Sequence, residues 1–508
     1  MPTDAMWRLR RAFWNGLALF KFRGNTPARI GPPRPGRRLG WVPLDWKYPG
    51  IAVREILVAD RVPGDESFLP KRLFARLQAA LYGIFGPMQP GLPPVAEDPV
   101  RALDGAYTAA HRRQFPAPVR PREYQGEPDL GALAVASPYA CYLEAYRNGS
   151  GGGRFRWDFR ALDGFDRHPG LRPVGAVVEF TAADGGLTAT RIDSDAGSSR
   201  PGDADWPLAQ RLALCAATTH LSLVRHFNGV HLACGSPMAL ATRNELPVAH
   251  PLRRLLWPHV FGTQYSNEMV TMDQMMRGGD FESIFSFTHG GTCALFEATH
   301  DDFDLASVHP ALDAARRGIA GAGFATPALD NRTALYDAIE RHCRRYLAIY
   351  YSSDAALAAD PPYGAWLNAL DRAIPNGVRS VAGPGVTLDG AARLLATLIY
   401  LATVEHEIVG SGVWDYQLWT DVQPVRVARS GKREPLDVYQ RLVNANFNLN
   451  VHRTPLLTDF SPLALDPAGA DAFRRFQADL IALQADLDRQ PPAPWRMEPQ
   501  RLKANINA

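Results

Sequence analysis

Residues 206–259 constrain this chain more than any other stretch. They carry His220, His226 and His231 within twelve residues of one apolar-periodic segment (Leu208, Leu212, Leu214, Leu221, Leu223, Val224), followed by His250-Pro251 and Pro258-His259. The whole chain of 508 residues has only 13 histidines. Imidazole is the commonest ligand for a non-haem transition metal, because a neutral ring nitrogen suits Fe, Zn, Cu and Ni. Spacing decides whether such rings can share an ion. On a regular α-helix, positions four apart face the same way, whereas His226 and His231 are five apart and His220 and His226 six apart. Neither pair converges on an ideal helix. A local π-turn, with i→i+5 bonding, would bring His226 and His231 onto one face. The plainer alternative is a set of core or surface histidines with ordinary partners, since neither an HExxH nor a paired CxxC motif is present.

Composition narrows the classes. Five scattered cysteines without a CxxC argue against a disulfide framework and suit a reducing compartment, so a cytoplasmic location is expected. A net charge of +3 gives no footprint for nucleic acid. No run of eighteen apolar residues suggests a membrane span. Residues 7–23 interleave Trp7, Phe13, Trp14, Leu17 and Phe20 with arginine and lysine. A basic amphipathic helix there would suit peripheral contact with a membrane surface, although packing on the main domain is the plainer expectation.

Taken in order, residues 1–170 read as a helical and irregular, proline-rich N-terminal segment packed on the main domain. They include a short helical stretch over 71–85 and a flexible glycine loop over 148–153. Residues 171–508 read as the main domain. A strand over 174–181, a turn at Asp184-Gly185-Gly186 and a partner strand over 187–192 form a hairpin. Residues 193–205 read as a solvated linker. Helices are expected over 263–276, 280–287, 333–350 and 470–487. Thr387 caps a nearly all-apolar helix running to Val409, with Asp389 favourable in its first turn. A helix that is apolar all round belongs in the middle of a large domain. The fold class expected is mainly α, a large helical domain around a long buried central helix with a small β element in the first half.

Several of these segments together resemble the lipoxygenases. The run His226-Phe-Asn-Gly-Val-His231 is followed by Ala241-Thr242-Arg243, by His250-Pro251, by Leu255-Leu256-Trp257-Pro258-His259 and by Asn267, in the order of that family's iron-binding core. Tyr350-Tyr351 with Trp366 follows. The helix ending at His406 is similar to the one that supplies a third iron histidine. The ending Asn505-Ile506-Asn507-Ala508 is similar to the family's C-terminal tail, whose carboxylate binds iron. The resemblance covers roughly residues 170–508, without the N-terminal β-sandwich of many family members. It implies one non-haem iron per chain and a dioxygenase that abstracts hydrogen from a doubly allylic carbon of a polyunsaturated fatty acid and adds O2. It also implies a lipid-like small-molecule substrate and a monomer.

Carried onto this chain, the resemblance makes His226 one ligand, His406 another and the carboxylate of Ala508 the acid ligand. For the remaining histidine the preferred register pairs His220 with His226 and puts His231 behind them. A second register pairs His226 with His231 and restores the family's five-residue step. Three departures stand out. Gly410 lies one turn after His406, where the family places a side chain that can ligate iron, leaving water, Ser411 or Glu407 to serve. Val413 lies where a bridging glutamine would fall. Arg277 lies at the small-residue position that steers oxygen, which would favour a polar specialised metabolite over a bare hydrocarbon tail. A third reading is a lipid-binding homologue without iron. Arg426, Arg429 and Arg433 could meet a substrate carboxylate, although a solvated basic loop accounts for them more simply.

Overall fold

The computed structural model describes residues 30–67, 120–146, 154–430 (Asp184 aside), 454–491 and 495–506, with a few isolated positions before residue 81. The amphipathic stretch 7–23, the glycine loop 148–153, most of 71–85, Arg433 and Ala508 lie outside the described residues.

The β element is a five-stranded antiparallel meander, β3-β4-β5-β6-β7; β1 (Trp41–Pro43) and β2 (Leu57–Ala59) form a separate ladder. Its strands are β3 (Glu144–Tyr146), β4 (Arg154–Asp158), β5 (Val177–Ala183), β6 (Gly186–Ser194) and β7 (Gly197–Ser199). In β4 the residues alternate, so Phe155 and Trp157 enter the core while Arg154 and Arg156 stay wetter. The expected hairpin is present. Ala183 pairs with Gly186 across a two-residue turn in which Gly185 takes φ 77, a left-handed value that glycine tolerates without strain. β4 and β5 lie on either side of residue 170 and pair over the whole of β4. One boundary differs from expectation. The presumed linker 193–205 contributes β7, because Ile192 and Asp193 find backbone partners in Ser199 and Ser198.

Two long buried helices cross at the centre. The first runs unbroken from Trp206 to Glu245 as α1 (Trp206–Thr219), π1 (His220–Gly235) and α2 (Ser236–Glu245), with helical backbone angles at both junctions. Its residues are apolar on nearly every side, so it can lie only inside the fold. The second runs from Leu388 to Tyr416 as α9 (Leu388–Tyr400), π3 (Leu401–Glu405), α10 (His406–Ser411) and π4 (Gly412–Tyr416). Thr387 caps it by accepting from the Gly390 N–H, as its position predicts. Its segment Leu388–Ser411 is long and apolar enough to cross a membrane, yet apart from its first turn it is almost wholly buried in this fold.

The remaining helices wrap this pair: α3 (Pro251–Val260), α4 (Thr263–Val270) continuing into π2 (Thr271–Met275), α5 (Asp280–Ile284), α6 (His289–His300), α7 (Pro327–Tyr350), α8 (Pro361–Ala373) and α11 (Pro467–Asp488). α7 packs between α9 and α11. The tail after α11 re-enters the interior. Asn331 holds the Met497 backbone at both its N–H and its carbonyl. Ala504 N donates to Thr454 O at 2.8 Å.

The crossing depends on the absence of a side chain at Gly412. A Cβ there would lie 2.1 Å from Leu221 Cδ2, and Leu221 is fully buried. Gly412→Ala is therefore expected to destabilise the protein by about 1–3 kcal/mol through overpacking. In chemical denaturation, pairing it with Leu221→Ala should cost less than the sum of the two single changes, because both act on the same contact.

Candidate metal centre

The π1 stretch is what makes a site. Widening the helix to i→i+5 bonding stacks residues five apart, so His226 and His231 come onto one face. The second helix changes to π form over Leu401–Glu405 and delivers His406 opposite them. The three rings form a nearly even triangle. Their centroids are 5.1 Å (His226–His231), 5.0 Å (His226–His406) and 5.3 Å (His231–His406) apart. Their candidate ligand atoms all lie within 4.8 Å of one another, and His226 Nε2 is 3.4 Å from His231 Nε2. Two nitrogens each about 2.1 Å from a shared ion would stand about 3–3.4 Å apart, so this spacing suits a common metal.

Neighbours fix the ring orientations. Asn267 clamps His231 twice, with Oδ1 at 2.9 Å from the ring Nδ1 and Nδ2 donating to the His231 carbonyl at 3.0 Å. An Nδ1–H donated to that oxygen leaves the Nε2 lone pair facing the other rings. Glu407 Oε1 lies 3.2 Å from Nδ1 of His406 and does the same for that ring. Ser411 donates to Ile408 O at 2.8 Å. Gly410 is buried on α10, one turn beyond His406, and presents no donor.

His220 is not a member of the cluster. Its Nδ1 lies 3.0 Å from the Tyr142 hydroxyl, and its ring packs against Tyr142 and Phe159. The structure thus brings His231, and not the preferred His220, beside His226. A step of six residues does not close on a helix of either kind, whereas a step of five closes on a π-helix. His231 is the inward ring, not a supporting residue. His250 caps α3 and meets Asp360 at 2.9 Å, while His259 donates to Ala504 O at 2.7 Å. Arg277 also departs from expectation. It is exposed, on the turn after π2, while Gly278 behind it is buried with φ 76. Arg426 is buried and Arg429 exposed near Asp195.

Three features beside the triangle carry no sequence motif. Glu405, the residue before His406, lies buried between Arg225 (3.0 Å) and Arg332 (2.8 Å). Burial opposes the charge on nearby Asp313, but Arg317, Arg332 and Arg225 hold its carboxyl below the usual range. Gln417, four residues beyond Val413, is fully buried and donates to Thr218 and Ser222 on the first helix. A cavity of about 200 Å³ is lined by His220, Arg225, Gly229, Phe303 and Glu405, among others.

A family model described as lipoxygenase matches residues 171–452, more than half of the chain. This chain belongs to the lipoxygenase family. Linoleate 9S-lipoxygenase 2 of Oryza sativa is 28% identical over 245 residues, 45% of this chain and 28% of that protein. Polyunsaturated fatty acid lipoxygenase ALOX12 of Mus musculus is 24% identical over 314 residues, 55% of this chain and 46% of its own length. This chain thus spans less than half the length of either relative. The crystal structure of coral 8R-lipoxygenase shares its fold, with a TM-score of 0.72 at 16% identity over 92% of this chain and 79% of that one.

His220 has a structural place, and its pKa is pushed down to about 3, chiefly by burial with Arg225 adding to the shift. The sign follows. The native ring resists a proton that the unfolded chain accepts near pH 6.5. The stability this group contributes is complete above that pH and is lost as pH falls toward its native value. Unfolding free energy is expected to drop by up to about 1.4 kcal/mol per pH unit from this residue. His220→Gln, which keeps an acceptor for Tyr142, should show a shallower loss of stability between about pH 6 and pH 4 in urea titrations. An identical slope in both proteins would show that His220 titrates normally.

Proposed function

We propose that this chain is a non-haem iron dioxygenase of lipoxygenase type, holding iron with His226, His231 and His406 and acting on a polyunsaturated fatty acid and O2. The observation that carries this reading is the triangle of imidazoles from two separate helices, with no cysteine among the donors. When bound, iron supplies the one-electron chemistry that removes hydrogen from a doubly allylic carbon and admits O2. The protein's own part is orientation. Asn267 and Glu407 hold ring nitrogens so that neutral lone pairs face inward, and rigid buried helices fix their spacing.

The carboxylate of Ala508 is the proposed acid ligand. Ile506 packs against Gly235, where an added Cβ would come within 2.6 Å of Ile506 Cδ1. Gly235 lies four residues past His231, about one turn along the same helix.

The substrate reading leans on buried Phe227, Leu232, Ile408 and Val409, which neighbour the ligating histidines in the chain. It also draws on relatives named for linoleate and for polyunsaturated fatty acids. The exposure of Arg277 removes the feature that favoured a polar substrate. A cytoplasmic monomer with peripheral membrane contact through 7–23 belongs to the same proposal.

Protein purified after growth with iron should contain about one iron per chain by elemental analysis and form conjugated dienes from linoleate with O2 uptake. His231→Ala should lose iron at least about tenfold, whereas His220→Ala should retain it. Iron-free wild-type protein, or His231→Ala with full iron, would overturn the metal assignment. Full iron without product from linoleate would overturn the substrate alone.

A further inference from the structure

A second cluster lies beside Trp257, and it is built from arginines. A cavity of about 330 Å³ is lined by Arg34, Arg37, Arg61, Arg243 and Arg253, with Asp65 the one carboxylate in its wall. Two of the five guanidiniums are neutralised. Arg243 pairs with Asp65 and Glu66, and Arg61 with Asp60 at 2.5 Å. Arg34, Arg37 and Arg253 form no ion pair among the described residues.

Arg253 is the unusual member. It is 3% exposed and lies in the first turn of α3, at the positive end of a helix, where a cation is disfavoured. Its Nη1 donates to the carbonyls of Thr242, in the last turn of α2, and of Leu246, just past its end, which positions it. Its Nε is buried with no hydrogen-bond partner. Burial pushes its pKa down to about 10, with Arg243 adding to the shift. A buried, unpaired guanidinium is costly unless an anion meets it.

The walls are fixed. Trp257 lies between Arg243 (4.5 Å) and Arg253 (4.9 Å), and its Nε1 donates to Gly31 O at 2.8 Å. Asn244 holds the Leu39 backbone at both its N–H (2.9 Å) and its carbonyl (3.0 Å). The 31–39 segment that brings Arg34 and Arg37 is thereby stapled to α2 and α3. Planar guanidiniums converging on one cavity match the oxygens of a phosphate group.

We propose that this cavity binds a phosphate-bearing anion, with Arg253 at its buried end and Arg34 and Arg37 at its mouth. The same chemistry is offered by a free phosphate and by the headgroup of an anionic phospholipid. The site is independent of the histidine cluster, so it stands whether or not the iron assignment does.

The test uses the full chain at constant ionic strength, with chloride as the reference anion. Inorganic phosphate is titrated by calorimetry, and sedimentation measures binding to phosphatidylcholine vesicles with and without phosphatidic acid. The expected result is saturable binding in at least one arm, weakened at least about tenfold in the double variant Arg34→Gln/Arg37→Gln. Arg253→Gln should weaken it as much, and the double variant keeps the test valid should Arg253→Gln fail to fold. A distant pair of exposed arginines, changed in Arg474→Gln/Arg475→Gln, should leave it unaltered. Binding of inorganic phosphate identifies a site for the free anion; binding to phosphatidic acid vesicles alone identifies a headgroup site. No binding above the chloride and phosphatidylcholine controls overturns the proposal, as does equal weakening by the distant pair.

Discussion

The departure of one buried helix from α geometry is the constraint on which the rest depends. Over His220–Gly235 the backbone bonds five residues back instead of four, and this alone turns His226 and His231 to the same side. Such a stretch is poorer in hydrogen-bond geometry than an α-helix and would not persist in solvent. Here it is enclosed on nearly every side. Leu221 meets Gly412 of the crossing helix, Phe227 packs on Phe281 and Phe296, and Gly235 receives Ile506. Close packing around an uncommon backbone leaves it no cheaper arrangement.

The second helix repeats the device on a smaller scale. A π-turn over Leu401–Glu405 sets His406 toward the other two rings and turns the preceding Glu405 toward Arg225 and Arg332. Arg225 directly precedes His226, so a largely buried ion pair joins the two helices beside the histidine triangle. Breaking a buried pair leaves an uncompensated charge and costs several kcal/mol, so this contact limits how the helices can slide. Asn267 adds a third tether, from α4 to His231.

Much of this was legible in the residues. The all-apolar run after Thr387 identified a buried helix and its cap, and the alternation around Asp184-Gly185 identified the hairpin. The ordered segments from His226 to Asn267 and the helix ending at His406 pointed to the family. The choice between His220 and His231 was not legible from a count on an ideal helix, because the count itself depends on the backbone form. A step of five is the available signal, and it is the second of the two registers that carries it. Arg277 misled because its position in the chain says nothing about which way a turn residue points. The Glu405 pairs and the contacts of Arg253 join residues from 7 to 180 apart in the chain, without a motif that spacing could expose.

The central claim is that this widened helix and its partner close three imidazoles around one ion. The most direct measurement is anomalous diffraction at the iron absorption edge from crystals of iron-loaded protein. The account predicts a single strong peak about 2.1 Å from a ring nitrogen of each of His226, His231 and His406. A peak bonded to His220, or the absence of a peak between those three rings, would contradict it.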